Sequence, residues 1–245
     1  MEKAYKLLAL QEGISNKKAK ELIDRGLVYV LDRKVKIARA EMPEDTRFRV
    51  EKIDSVDIIY QDENIVAINK PALMDSYDIV DAIDEDIALI HRLDRDTSGV
   101  LLLARDKEFL KDAIEAFRAR EVKKRYTAWV EGVFFEEITI DTPIATHKRG
   151  GKAFSIIDKK KGKPAVTVVK PIEIQGKKSK VEIEIKTGRT HQIRVHLADI
   201  GHPIVGDERY GSVTRSKRIL LHAKAISLLG YDFEAKEPKD IIKYK

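Results

Sequence analysis

Apolar residues recur through the first fifty positions at intervals that predict two helices followed by short strands. Residues 7–10 form the apolar side of a first helix, and Ser15 is placed to cap a second helix that Gly26 ends. Three β-rich runs predict short strands, at residues 27–31, 35–37 and 48–50. Polar turn residues separate these runs, so this part of the chain is expected to form a small α+β unit.

Strand patterns dominate from residue 56 onward. Six strands are predicted, at residues 58–60, 65–69, 100–104, 125–130, 165–169 and 181–185. One helix is predicted over residues 107–118, and another begins with Thr190 as its cap and ends before Gly201. Because few helices separate the strands, we expect an α+β fold built on a mixed, largely antiparallel sheet. We place the domain boundary between residues 52 and 53, at a hinge predicted in residues 53–57.

The charge along the chain changes sign between regions. Lysine and arginine number 47 against 41 aspartates and glutamates, a net charge of +6 over 245 residues. The positive surplus lies in residues 1–50 and 151–245, on either side of an acidic stretch at residues 51–100. Basic regions of this kind suit a polyanion such as a nucleic acid, although lysine-rich segments also occur on ordinary protein surfaces.

The sequence contains no cysteine, and this excludes several kinds of catalytic and structural site. It excludes thiol nucleophiles, iron–sulfur clusters and disulfide scaffolds, and it is typical of proteins of the reducing cytoplasm. No apolar run approaches the length of a bilayer span, so we expect no membrane association.

A first group of polar residues, with the sequence HRLDRDTSG, occupies residues 91–99 directly before the strand predicted at residues 100–104. A buried strand holds the loop beside it in a fixed position, which suits catalytic groups. The same residues also suit a turn in which Asp96, Thr97 and Ser98 cap backbone groups. The motif by itself leaves both interpretations open.

A second group begins at residue 187 with the sequence TGRTHQIRVHL and opens a predicted helix. The helix N-terminus, with Arg189 and the Thr190 hydroxyl beside it, favours an anion. His191 and His196 are five residues apart, or about 140° around a helix, so they are not expected to share a metal ion. A metal-dependent hydrolase therefore remains only as an alternative class.

Two long motifs resemble those of a known enzyme family. HRLDRDTSGVLLLA and GRTHQIRVHLADIGHPIVGDERYG closely resemble the two principal motifs of the RluA-type pseudouridine synthases, which isomerise uridine in structured RNA. Residues 69–71 and 124–126 are similar to the family's two weaker motifs. SNKKAKELIDRGLVYV, at residues 15–30, is similar to the small RNA-binding domain typified by ribosomal protein S-four. The resemblance implies an RNA-binding domain at residues 1–52 and a catalytic domain at residues 53–245.

The resemblance also implies roles for individual residues. Asp94 corresponds to the catalytic aspartate, Arg194 to the arginine paired with it, and Tyr126 to the tyrosine that stacks on uracil. Arg92 corresponds to the arginine that fills the gap left by an extruded base. With RNA as the partner, we expect further RNA contacts at Arg189, Thr190, His191, Lys17, Lys18, Lys20 and Arg25.

The reaction itself agrees with such a site. Converting uridine to pseudouridine breaks the N1–C1′ bond and joins C5 to C1′ without oxidation or reduction, so we expect neither a cofactor nor a metal. A guanidinium beside a carboxylate orients it and stabilises its charge. A carboxylate has three routes open to it, namely addition to C1′, addition to the uracil ring, or assistance to a glycal-forming step.

One segment departs from the family pattern. The family's first motif usually continues from Asn-Lys-Pro to a glycine and then a histidine, whereas Pro71 is followed here by Ala-Leu-Met-Asp. The nineteen residues between Pro71 and His91 are acidic, which predicts a short, anionic loop where family members often hold RNA.

RluA-type catalytic domains that follow this N-terminal domain mostly modify large-subunit ribosomal RNA, and we expect this substrate here. We also expect the enzyme to be a monomer. A transfer-RNA or messenger-RNA site, and a non-catalytic RNA-binding module, are the alternatives.

Overall fold

The computed structural model describes residues 1–24, 27–50, 56–83, 87–149 and 152–244. It contains two compact units, Met1–Ser55 and Val56–Lys245. The division falls after Ser55, whereas the sequence places it after residue 52 in a hinge whose first residues, 53–55, lie outside the described part. Gly26, predicted to end the second helix, also lies outside it.

The first unit packs two helices against short strands. Its elements, in chain order, are β1 Glu2–Lys3, α1 Ala4–Glu12, α2 Asn16–Asp24, β2 Val28–Val30, β3 Arg33–Lys34, β4 Glu41–Met42 and β5 Arg49–Val50. Strand β2 pairs with β3 and β5, and β1 pairs with β4, all antiparallel. As predicted, the Ser15 hydroxyl accepts a hydrogen bond from the Lys18 N–H at the start of α2, at 3.1 Å.

The prediction of a strand at residues 35–37 is wrong. The chain turns at Leu31, whose φ of 53° lies in the left-handed region, and pairing resumes at once with Arg33 opposite Val30. The last residue of β3 is Lys34, and beyond it the Val35 N–H makes a single hydrogen bond to the Val28 carbonyl oxygen, at 2.8 Å. Val35 then turns its side chain into the core.

The second unit is built on one ten-stranded sheet. Its strands are β6 Asp57–Gln61, β7 Ile65–Lys70, β8 Ala88–Leu89, β9 Ser98–Ala104, β10 Lys123–Glu131, β11 Ile138–Asp141, β14 Val166–Gln175, β15 Lys178–Ile185, β16 Leu221–Leu228 and β17 Tyr231–Glu234. The order across the sheet is β11-β14-β15-β10-β16-β9-β7-β6, with β17 beside β16 and β8 beside β9. Among the described pairs, only β9 and β16 run parallel, which confirms the predicted mixed, largely antiparallel sheet.

Helices and a separate hairpin complete this unit. They are α3 Ser76–Ile83, α4 Lys107–Ala119, the hairpin strands β12 Ile144–Arg149 and β13 Lys152–Ile157, α5 Gln192–Asp199 and α6 Lys239–Ile242. None of the helices in the described ranges combines the length and the apolar character needed to cross a bilayer.

Strand β9 lies at the centre of the second unit and is buried along its whole length. Val100 and Leu102 pack on the side of α4, while Leu101 and Leu103 pack against Ile79 of α3 on the opposite face. Coverage on both faces explains why this strand is a continuous apolar run rather than an alternating one.

Two expectations for the second unit need correction. The segment predicted as a short acidic loop contains the helix α3, because Ile79 is fully buried and Ser76 is tied to the chain at Leu93. Thr190 does not cap α5, since His191 stands at the cap position and makes no capping hydrogen bond with its side chain. The Gln192 side chain instead accepts the Arg189 N–H at 3.0 Å, which satisfies a backbone donor ahead of the helix.

Gly99 permits the close approach of the two parallel strands. Its φ is 116°, and a Cβ atom at this position would lie 2.1 Å from the carbonyl oxygen of Ala223 on β16. No side chain fits between the two strands at this point, so glycine is required for the pairing.

We expect Gly99→Ala to lower the free energy of unfolding of the second unit by about 3 kcal/mol or more, because the methyl group forces β9 and β16 apart. Gly176→Ala is the matched control, since Gly176 also has a positive φ, of 59°, but has no atom within 4 Å of the added methyl. The control is expected to cost about 1 kcal/mol. The fluorescence of Trp129, the one tryptophan and a buried residue of β10, reports both transitions. Equal losses would contradict the steric role of Gly99.

Candidate active site

The two polar groups predicted from the sequence meet in space. The loop before β9 places Asp94 beside Arg194, which lies on the first turn of α5. The Arg194 Nη1 atom and the Asp94 Oδ2 atom are 3.4 Å apart. The carboxylate side chain is 28% exposed and the arginine side chain only 6%, so the aspartate is open to solvent from one side.

A second carboxylate holds the arginine in place. Arg194 donates from Nε to Asp207 Oδ2 at 2.6 Å and from Nη2 to Asp207 Oδ1 at 2.9 Å, a bidentate pair. Burial lowers the pKa of Arg194, but the hydrogen bonds and charge of Asp207 outweigh it and the pKa is raised. The remaining nitrogen, Nη1, faces Asp94. Asp207 lies within the second motif, but nothing in the motif singles it out from its neighbours.

His191 lies on the other side of Asp94. Its Nε2 atom is 3.8 Å from Asp94 Oδ2, and its Nδ1 atom is 2.8 Å from the Tyr210 hydroxyl. Burial lowers the pKa of His191, so the ring is neutral at pH 7. The Tyr210 hydroxyl also accepts the Ser155 N–H, at 2.9 Å. The His191 ring therefore lies between Tyr210, next to its Nδ1 atom, and Asp94, next to its Nε2 atom.

Tyr126 lies on β10, between Ile183 of β15 and Ala223 of β16, in the middle of the sheet. Burial and the negative charge of Asp94 raise the pKa of its hydroxyl, which therefore stays protonated at neutral pH. Asp94, Tyr126, Arg194 and His191 line one cavity of about 120 Å³. The three residues to which the resemblance assigns the chemistry therefore share a cavity.

The loop that carries Asp94 is fixed from behind. The Ser76 hydroxyl bonds both the N–H and the carbonyl oxygen of Leu93, each at 3.1 Å. Lys70 is fully buried and donates from Nζ to the carbonyl oxygens of Pro71, Met74 and Arg95, at 2.9, 2.7 and 3.3 Å. Burial lowers the pKa of Lys70 to about 8. The Asn-Lys-Pro motif thus contributes a cation that anchors this loop.

The residues predicted to contact RNA fall into different places. Arg92 and Arg189 line the cavity of Asp94, and the Arg189 Nε also donates to the Pro164 carbonyl oxygen at 3.1 Å. Thr190 does not line it, and its carbonyl oxygen accepts a bond from the Ser155 hydroxyl at 2.7 Å.

The N-terminal candidates lie in the first unit. Lys17 is exposed, and the Lys20 ammonium lies 4.2 Å above the centre of the Tyr5 ring. Lys18 is half-buried at the start of α2. Arg25 lies outside the described residues.

The two histidines of the second motif belong to separate hydrogen-bond groups. His196 is fully buried, with Nδ1 2.9 Å from the Thr167 hydroxyl and Nε2 2.9 Å from the Thr142 carbonyl oxygen. Within the described ranges, no three histidine, aspartate or glutamate side chains are arranged to hold a metal ion.

Comparison with known proteins agrees with this geometry. Residues 64–199 match the family model for RNA pseudouridylate synthase. A Helicobacter pylori strain J99 protein, described as an uncharacterized RNA pseudouridine synthase, is 52% identical over 98% of this chain and 99% of its own length. The ribosomal large subunit pseudouridine synthase D of Escherichia coli O157:H7 is 32% identical over 88% of this chain and 70% of its own length.

A solved structure shows the same fold. The human RNA pseudouridylate synthase domain containing 1 superposes with a TM-score of 0.66 and 29% identity, over 77% of this chain and 85% of that one. The resemblance to RluA-type enzymes predicted from the two motifs is therefore confirmed. The chain belongs to the RNA pseudouridylate synthase family and is an isomerase that acts on RNA.

Proposed function

We propose that the enzyme converts specific uridines of large-subunit ribosomal RNA to pseudouridine, with Asp94 as the catalytic carboxylate. The observation that carries the proposal is the Asp94 side chain itself, which faces a cavity and is held by a buried arginine. In the reaction the N1–C1′ bond breaks, the uracil turns, and a C5–C1′ bond forms. The C5 proton is released and N1 takes up a proton, so no cofactor has to supply electrons or atoms.

The geometry supports separate tasks for the neighbours of Asp94. Arg194 orients the carboxylate and stabilises its charge. Tyr126 closes the cavity with its ring, and we assign it the role of stacking on the uracil. Because the pKa of its hydroxyl is raised, we do not assign Tyr126 the role of the base that removes the C5 proton.

Arg92 supports a mechanism in which the target base leaves its helix. Its side chain is exposed at the cavity that holds Asp94. A uridine paired in a stem has to be flipped out before the carboxylate reaches C1′, at a cost of a few kcal/mol. We assign Arg92 to the space that the flipped base leaves.

The choice of ribosomal RNA rests on the relatives. The Escherichia coli O157:H7 enzyme, with 32% identity, is described as acting on the large ribosomal subunit.

We expect a strain that lacks the gene for the present protein to lose pseudouridine at one or a few positions of its large-subunit ribosomal RNA. Sequencing after carbodiimide treatment maps the missing positions. Loss confined to transfer RNA would show that the substrate is wrong while the reaction is right.

Asp94→Asn is expected to abolish turnover while leaving the fold intact, because the amide is nearly isosteric but carries no negative charge. Tritium release from RNA labelled at uridine C5 measures the reaction, and circular dichroism checks the fold. Asp106→Asn is the matched control, since Asp106 accepts the Phe109 N–H at the start of α4 and asparagine caps helices equally well. Turnover by a folded Asp94→Asn protein, or an equal loss in the control, would mean that the catalytic carboxylate is wrongly assigned.

The N-terminal unit is proposed to add RNA affinity without taking part in the chemistry. We expect a chain of residues 56–245 to bind RNA more weakly and with a shallower dependence on salt, because the contacts of Lys17, Lys18, Lys20 and Arg25 are lost. Each lost phosphate contact changes the slope of log K against log salt by about 0.7 to 0.9. Filter binding at several salt concentrations measures the slope. An unchanged slope would exclude phosphate contacts by this unit.

A further inference from the structure

A second cavity adjoins the cavity of Asp94. It has a volume of about 530 Å³, within the range of pockets that hold small molecules, and Arg92 and Tyr126 line both cavities. Its walls come from the C-terminal end of α4, from the start of β10 and from the segment that follows β15. We call this cavity the α4 groove.

The charge of the α4 groove is of one sign in the described part of the chain. The charged residues that line it there are all cations, namely Arg92, Arg118, Arg120, Lys124, Lys186 and Arg189. A further cavity of about 500 Å³, which Asp94 also lines, mixes cations with acids, among them Asp75, Asp96 and Glu208. A negatively charged strand that passes through the site is therefore attracted more strongly to the α4 groove than to this cavity.

Several of these cations have no protein counter-charge. Arg118 pairs with Glu115, and Lys186 with Glu184, in solvent-exposed contacts. Arg92, Arg120 and Lys124 form no ion pair in the described part of the chain. Lys124 is half-buried, and burial lowers its pKa, so an anion in the groove would offset the cost of its desolvation.

One of these cations, Arg120, lies at the C-terminal end of α4 and lines the groove. Arg120 has a φ of 63°, in the left-handed region where a helix usually ends with glycine. Any residue other than glycine costs energy in this conformation. The position is nevertheless occupied by an arginine that lines the groove.

An apolar surface lies among the cations. The Phe117 and His91 rings are stacked with centroids 5.6 Å apart and planes inclined by 29°, and the Lys124 ammonium lies 5.6 Å from the Phe117 centroid. Ile114, one turn before, leaves 38% of its surface exposed. Aromatic and apolar surface interleaved with cations is typical of sites that bind single-stranded RNA, where bases stack and phosphates are neutralised.

We propose that the α4 groove binds the nucleotides next to the target uridine in the same RNA strand. Their phosphates contact Arg118, Arg120 and Lys124, and a base lies against Ile114 and Phe117. The proposal rests on the assignment of Asp94 as the centre of the reaction, because that assignment places the target uridine beside the groove. It implies that the enzyme reads single-stranded flanking sequence or structure on this side of the target.

The first test removes two exposed cations from the groove. We expect Arg118→Gln/Arg120→Gln to bind a large-subunit ribosomal RNA transcript about five to ten times more weakly at about 0.15 M salt. The salt slope should fall by about 1.4, which corresponds to two single-strand phosphate contacts. An unchanged affinity and an unchanged slope would overturn the proposal.

Lys177→Gln is the matched control for charge. Lys177 is exposed in the turn before β15, whose eight residues run to Ile185 at the border of the groove. The control therefore lies roughly 25 Å from the groove along that strand. Lys177→Gln removes one positive charge and the double variant removes two. A drop in slope in the control half as large as that in the double variant would therefore mean that only net charge matters, and would also overturn the proposal.

The second test identifies the phosphate. An RNA hairpin that carries the mapped uridine is prepared with one neutral methylphosphonate linkage, either on the 5′ or on the 3′ side of that uridine. We expect the neutral linkage to weaken binding by the wild type but to have little further effect on Arg118→Gln/Arg120→Gln, because both changes remove the same contact. If the loss of affinity caused by the methylphosphonate adds to the loss caused by Arg118→Gln/Arg120→Gln, for the 5′ linkage and for the 3′ linkage alike, the groove is not the binding site.

The two tests separate this proposal from the proposed function. Binding to the ribosomal RNA transcript does not require turnover. If the protein forms pseudouridine but the two losses of affinity are additive, only the proposal that the groove binds the flanking nucleotides is contradicted. A protein that shows the coupling but keeps turnover in Asp94→Asn contradicts the catalytic assignment alone.

Discussion

The buried pair between Arg194 and Asp207 is the constraint on which the site depends. A guanidinium removed from water is costly unless its donors are paired, and Asp207 accepts from two of them. Only one nitrogen remains in contact with Asp94. The direction of that nitrogen is therefore set before any RNA is bound. The arginine also lies against the Tyr210 ring, 4.9 Å from its centroid, which links the pair to His191.

The loop that carries Asp94 is equally constrained. Ser76 and Lys70 satisfy its backbone groups from behind, and Gly99 joins it to β9 at the crossing with β16. Preorganisation of this kind reduces the rearrangement needed when the substrate arrives. The well-bonded loop around Asp94 thus lies beside an exposed cationic border along α4.

The sequence predicted the parts of this architecture that depend on local pattern or on long motifs. The buried run of β9, the helix α4 and the pairing of Asp94 with Arg194 all fall into this class. Patterns failed where a distant contact decides the local structure. Helix α3 exists because Ser76 bonds to Leu93 and Ile79 is buried against β7 and β9, contacts that the pattern of residues within the segment does not reveal.

The roles of Asp207 and Lys70 were missed for the same reason. An aspartate thirteen residues from an arginine shows its importance only when both are buried. In the sequence Lys70 is only the lysine of the Asn-Lys-Pro motif. Its three partners are the carbonyl oxygens of Pro71, Met74 and Arg95, and the motif does not reveal that they converge on it. A buried arginine in a predicted helix is itself a signal that a carboxylate partner should be sought, because an unpaired one would not be stable.

The parallel pairing of β9 with β16 has a consequence for biosynthesis. Ser98 and His222, whose side chains bond at 2.9 Å across this pair, are separated by 124 residues. The antiparallel neighbour β7 precedes β9 and can pair with it as soon as both have left the ribosome. At the other edge β8 pairs with Leu103 and Ala104, but the start of β9, at Ser98 and Gly99, has to wait until β16 has been translated. A nascent chain thus carries the loop of Asp94 beside an incompletely paired strand while the segment between β9 and β16 is translated, and the site is complete only when β16 has paired.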